Sequence, residues 1–209
     1  MKTILSLSLI CFAQCAFAQK SFFGADAGIN VANQRMMTSL ISPGFQSANH
    51  IAFGYNAIKP SFGIFYQKWF SDLLALRLNA QYMGLGYDSK GSSGTAVTIN
   101  YLTLPLTLHY ATNKHLSFSA GPYLSFTLGG TKINNEDITK TYHKNDFGFS
   151  FGAEHDLYKN ISFGINYFVG LKNIWLNDTQ TVPGVYTTTN KYTNRALQFT
   201  LIYKFKKPN

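Results

Sequence analysis

Cysteine is almost missing from this chain. Its two, Cys11 and Cys15, fall within the first eighteen residues, so the remainder can form neither disulfides nor thiolate metal sites. Charge is also thin, at 13% of residues against roughly a quarter in an ordinary soluble domain. Beyond the leader no stretch approaches the roughly 18 consecutive apolar residues of a helical membrane span. What is plentiful is aromatic surface, 16% of the chain with 18 Phe and 13 Tyr, yet the mean hydropathy of -0.06 is near neutral. Strands that alternate lipid-facing apolar residues with polar lumen residues produce both properties at once.

The leader reads as a cleavable export signal. Lys2 supplies the positive start, Ile4 to Phe12 a short apolar core and Ala16-Phe17-Ala18 the small residues for cleavage before Gln19. That core is well short of the roughly 20 residues a helical anchor needs. Lipidation is disfavoured because Ile10 and Gln14 precede the two cysteines where a small residue is wanted. The expected organisation is a signal at 1–18 and one domain at 19–209. The formal charge of +9 becomes +8 without Lys2. The basic residues are scattered and no nucleic-acid motif is present, so an anionic lipopolysaccharide surface is the expected counterpart.

Crossing a lipid core at a tilt of about 40° takes roughly 9 to 11 residues per strand. Eight segments with that length and a period of two are expected to be strands. In Phe22 to Val31, Phe23, Ala25, Ala27, Ile29 and Val31 oppose Gly24, Asp26, Gly28 and Asn30. In Ser61 to Phe70, Phe62, Ile64 and Tyr66 oppose a less polar face with Phe65 and Trp69. In Leu73 to Gly86, Leu74, Leu76, Leu78, Ala80 and Tyr82 alternate with Arg77, Asn79 and Gln81. The same pattern recurs in Thr98 to Tyr110, Leu116 to Leu128, Asp146 to Leu157, Ile161 to Leu171 and Arg195 to Phe205. Pro105 and Pro122 each remove a ladder donor, so a bulge or local distortion is expected beside them.

The connections carry a separate signal. Short links at Ser71-Asp72, Ala111 to Lys114 and Tyr158 to Asn160 alternate with long ones at Ala32 to Pro60, Tyr87 to Val97, Gly129 to Asn145 and Lys172 to Asn194. Turns sorted this way suit an all-β, eight-stranded antiparallel up-and-down transmembrane barrel, with short periplasmic turns and long outer loops. A soluble lipocalin-like carrier also has eight antiparallel strands, but it requires an apolar lumen and a polar outer surface.

Several segments resemble the PorT-like outer-membrane β-barrel family of Bacteroidota: FGADAGINVAN at 23–33, KPSFGIFYQKWFSDLLALRLNAQYMGLG at 59–86, NYLTLPLTLHY at 100–110, AGPYLSFTLGG at 120–130, DFGFSFGAEHDLYKNISFGINYFVGLKNI at 146–174 and NRALQFTLIYKF at 194–205. Tyr-Leu-x-x-Pro-Leu followed by Gly-Pro-Tyr-Leu is the most distinctive part. The resemblance implies a barrel scaffold and an outer-membrane address. One branch of that family is linked to type IX protein secretion, and no segment here assigns the chain to it.

An eight-stranded barrel is filled by its own side chains. By parity Asp26, Arg77, Glu154 and Lys204 point inward, and buried charge must be paired, so an ion-pair cluster of Arg77 with Glu154 or Asp26 is expected as a structural plug. Trp69, Tyr110, Tyr158, Tyr167, Trp175, Tyr203 and Phe205 fall near strand ends and are expected to form aromatic girdles. His50, His109, His115, His143 and His155 show no metal or triad spacing. No cofactor or metal and no catalytic residue is therefore expected, and a lipid-modifying enzyme is the alternative, with His143 near Asp146 as its least implausible base. Tyr203-Lys204-Phe205 resembles the aromatic ending read by barrel assembly machinery. The long link containing Met36, Met37, Phe45 and Tyr55 is a candidate binding surface, because binding usually resides in loops on a rigid scaffold.

Overall fold

The alternating segments all pair edge to edge. The computed structural model describes residues 21–44, 48–88, 96–113, 115–133, 136–137, 141–176, 179–183 and 185–205. The expected leader at 1–18, Phe45 and the tail from Lys206 lie outside the described residues. Twelve strands form one sheet: β1 (Ser21–Ile41), β2 (Ala48–Phe53), β3 (Ala57–Trp69), β4 (Leu74–Asp88), β5 (Ala96–Ala111), β6 (Leu116–Thr127), β7 (Lys132–Ile133), β8 (Glu136–Asp137), β9 (Asn145–Tyr158), β10 (Ile161–Gly170), β11 (Thr179–Val182) and β12 (Tyr186–Lys204). β1 pairs with β3, then β4, β5, β6, β9, β10 and β12 follow in turn, and β12 pairs back onto β1, every contact antiparallel. The sheet therefore closes on itself as an up-and-down barrel with no free edge along its wall.

The closure is staggered. The rung starting at Ser21 passes Lys68, Leu76, Leu108, Ala120, Phe151, Tyr167 and Leu197 and meets β1 again at Val31, ten residues further on. With roughly 4.8 Å between strands and 3.3 Å per residue, such a stagger tilts the strands by about 40°.

The strand total exceeds the eight expected because the sheet gains β2, β7, β8 and β11. Two of the expected long loops are largely strand. β1 runs on to Ile41 and β12 starts at Tyr186, and the two stay paired up to Ile41↔Thr187. β2 flanks this extension on one side and β11 on the other, making a four-stranded sheet, β2-β1-β12-β11, that projects past the barrel. Its residues escaped the periodicity reading because neither face of Arg35 to Ile41 or of Tyr186 to Asn194 is uniformly apolar; away from lipid, alternation is not required.

The prolines distort without adding a residue. Pairing of β4 with β5 lapses between Leu78↔Leu106 and Gln81↔Thr103, and that of β5 with β6 between Pro105↔Tyr123 and Leu108↔Ala120, but the register is the same on both sides of each gap. Gly121 faces the second gap, and a Cβ there would stand 2.0 Å from the Leu106 carbonyl oxygen. The register shift occurs elsewhere, between Ile161 and Ser162 where β10 meets β9.

The wall has an inverted distribution of polarity. Ile64, Phe62, Leu201 and Leu124 face outward and exposed, while Asn30, Gln34, Gln81, Gln198 and Asn194 are buried within. A soluble domain does the reverse. One departure from the expected polar lumen occurs toward the long-loop end, where Met83, Leu85, Val97, Ile99, Tyr101 and Ile174 form an apolar interior.

Candidate functional site

Charged residues gather inside the short-turn end. Arg77 Nη2 lies 2.7 Å from Glu154 Oε2, and Lys204 Nζ lies 2.7 Å from Glu154 Oε1 and 2.6 Å from Asp156 Oδ1. Arg77 Nε donates to Gln67 Oε1 at 2.7 Å, its register partner across the Trp69–Leu74 turn, and the guanidinium sits 4.2 Å from the centre of the Phe65 ring. Ser162 Oγ donates to Asp156 Oδ1 at 2.7 Å. Arg77, Glu154 and Lys204 are all buried, and the alternating signs Arg77, Glu154, Lys204, Asp156 leave each charge beside an opposite one.

The structure thus brings together three of the four expected cluster residues. Asp26 stands apart: its Oδ2 accepts a 3.0 Å hydrogen bond from Asn79 Nδ2, and no ion pair joins it to Arg77. The stagger explains this, since Arg77 shares a rung with Phe22 rather than Asp26. Asp156, Gln67 and Phe65 went unmarked in the sequence. Asp156 carried a usable signal, lying two residues beyond Glu154 on the same face. Below the cluster a cavity of about 220 Å³ opens between Phe22, Trp69, Asp72, His115 and the charged side chains.

The other end is closed by an aromatic roof. Trp175 stacks on Tyr192 at 4.9 Å and meets Tyr142 edge-on at 5.1 Å. The segments carrying Tyr142 and Trp175 are tied by His143 N donating to Ile174 O at 2.8 Å and Leu176 N to Thr141 O at 2.9 Å. Asn173 Oδ1 accepts from Tyr192 N at 2.8 Å. Burial here pushes the Tyr142 phenol well above its ordinary range. Between roof and ion cluster, Gln34 Nε2 donates to Asn194 Oδ1 at 3.3 Å, Asn194 Nδ2 to Asp146 Oδ2 at 2.9 Å and Gln198 Nε2 to Gln81 Oε1 at 3.4 Å. Amide side chains able to donate and accept together suit such a network.

The expected aromatic girdle is only partly placed at a rim. Tyr110, Tyr158, Tyr203 and Phe205 are exposed at the short-turn end. Trp69 instead points inward against Phe22, Phe65 and Ile202, because it shares the parity of Phe65 and Gln67. Trp175 belongs to the roof. Tyr167 faces outward opposite Phe151 and Leu197, one outward position short of the Val169–Arg195 rung, toward the long-link end of the wall. Proximity to a strand end along the chain does not give depth when strands are tilted and overrun the membrane.

The histidines lie apart from one another with one exception. His115 and His155 rings are 6.3 Å apart at the short-turn end. His109 is buried, with Nε2 3.1 Å from Thr107 Oγ1, while His50 is on β2 opposite Thr38. Among the described residues no group of three potential ligands is arranged to hold a metal.

Comparison with known proteins gives structural likeness at low identity. The outer membrane protein OprG from Pseudomonas aeruginosa aligns at 16% identity over 90% of this chain and 98% of its own, with a TM-score of 0.49. Neisserial surface protein A aligns at 12% identity over 86% and 99%, with a TM-score of 0.47. AlkL, solved in lipid bilayers, aligns at 14% identity over 89% and 92%, with a TM-score of 0.41. No curated protein matches the sequence. The decisive match is to the family described as the outer membrane protein beta-barrel domain, which extends over residues 3–205. With that match, an inverted wall and a closed antiparallel sheet in hand, the chain belongs to the outer membrane protein beta-barrel domain family and resides in the outer membrane.

Proposed function

We propose that this protein crosses the outer membrane through the eight strands of its closed ring and works non-enzymatically, by what its projecting sheet and outer loops present at the cell surface. The observation that carries this reading is the β2-β1-β12-β11 sheet, a hydrogen-bonded continuation of the wall on the side of the long links. Ordered backbone beyond the lipid-facing band has no use as a membrane plug, whereas a fixed surface suits a binding partner. The filled lumen supports the same reading, since side chains occupy it from the ion cluster to the roof. Export by a cleaved signal and delivery by barrel assembly machinery, through the Tyr203-Lys204-Phe205 ending, are part of the proposal. The resemblance to PorT-like barrels, resting on Tyr101 to Leu106 and Gly121 to Leu124, keeps an accessory role in type IX secretion as the alternative.

Epitope insertion at Gly44, an exposed turn with φ of 84° and open space around it, tests the orientation. The tag is expected to be labelled on intact cells. Labelling only after the outer membrane is opened would reverse the topology and end the surface-binding reading.

A further inference from the structure

We infer that the outward face at the top of the β1–β12 seam holds a phosphorylated glycolipid headgroup of the outer leaflet, with Arg35, Lys191 and Arg195 as its cations. The inference deepens the proposed surface role and rests on its orientation, with the long links outside.

The placement follows from parity and register. On β12 the outward side chains run Leu201, Phe199 and Leu197 before reaching Arg195; on β1 they run Ile29 and Val31 before Asn33 and Arg35. Asn33 stands opposite Arg195, Arg35 opposite Thr193 and Met37 opposite Lys191. Three cations therefore occupy three successive outward rungs of one seam, beginning where the apolar file ends. Arg195 and Lys191, four residues apart on β12, stand roughly 13 Å apart along the strand with Arg35 between them, a spacing suited to a headgroup carrying two phosphates.

Arg195 is the anchor of the site. It is half-buried, its guanidinium carbon lies 5.5 Å from the centre of the Phe53 ring, and its Nε is buried without a hydrogen-bond partner among the described residues. With Nε covered, the terminal nitrogens of this planar, ring-backed guanidinium are the donors that a phosphate oxygen can reach. Asp88 also faces outward, but it stands on β4, beyond the bridge to Tyr55. The apolar file directly beneath argues for a headgroup still attached to acyl chains: a lipid whose chains lie on Leu197 and Val31 brings its phosphate to the height of Arg195. A soluble anion gains nothing from that file.

The test is native mass spectrometry of the full-length protein in detergent, titrated with bisphosphorylated lipid A, dephosphorylated lipid A and inorganic phosphate. Retention of phosphorylated lipid A is expected to exceed that of the dephosphorylated form by about tenfold, with Arg35→Ala/Arg195→Ala removing the preference and Lys191→Glu weakening it. Equal retention of the two lipids by the native protein overturns the inference without reference to any variant. Displacement of the lipid by millimolar inorganic phosphate would mark a free-anion site and overturn the assignment to a lipid. Because the titration uses purified protein, it is blind to orientation, so a failure here is distinct from a failure of surface labelling.

Discussion

Glu154 sits between two cations, and that arrangement makes its neighbours unequal. Removing Arg77 leaves Glu154 with Lys204, which already serves Asp156, and strands Gln67 Oε1 without its 2.7 Å donor. Arg77→Ala is expected to destabilise the barrel by roughly 3 kcal/mol or more, because a broken buried pair leaves charge uncompensated. The double replacement Arg77→Met/Glu154→Gln should cost less, since Lys204 and Asp156 still pair. Urea unfolding in detergent micelles, followed by the heat-modifiable shift in gel migration, measures both; equal losses would show that the ion pair contributes no coupling. Parity alone marked Arg77, Glu154 and Lys204 as lumen residues in the sequence. It was silent on which of them meet, because contact across a lumen depends on the stagger, and the stagger is a property of the closed ring. Asp26 was grouped with Arg77 for want of that information.

At the scale of the strand, β5 has an interrupted ladder on both of its sides. Its ladders to β4 and β6 lapse near Pro105 and Pro122, and Gly121 lets the Leu106 carbonyl approach closely at the second gap. Gly121→Val is expected to force the two strands apart and to cost about 1–3 kcal/mol through overpacking. Amide hydrogen exchange confined to β5 and β6 would display it; unchanged protection would mean that the wall absorbs the side chain. The lipid-facing parts of the strands were legible because one face must be apolar there and the period of two is enforced. Where β1 and β12 leave the lipid, the enforcement stops. Thr187, Thr188 and Thr189 are good strand formers but give no hint of which face is which, so the outer sheet read as loop.

For the whole molecule, the two closures act in series. The ion cluster fills one end and the Tyr142-Trp175-Tyr192 roof the other, so the native protein in a planar bilayer is expected to show no sustained conductance. Trp175→Ala should loosen the roof while leaving the ion cluster shut, and single-channel recording is expected to remain silent. Stable openings in the native protein would contradict the plug. The sorting of links into short and long was visible in the sequence. The roof was not visible, since it depends on two distant segments meeting over the lumen.

The β1–β12 seam is also the longest ladder of the ring, joining Gly24 to Lys204 and Ile41 to Thr187. Its partners are the first and last strands of the ring in chain order, so the barrel cannot close until both have been made. Folding is therefore governed by a contact of nearly maximal sequence separation, which makes it slow. Throughout that interval β1 carries an unsatisfied edge, and an unsatisfied edge recruits any available strand. The interval before closure is therefore when this protein is most vulnerable to misassembly.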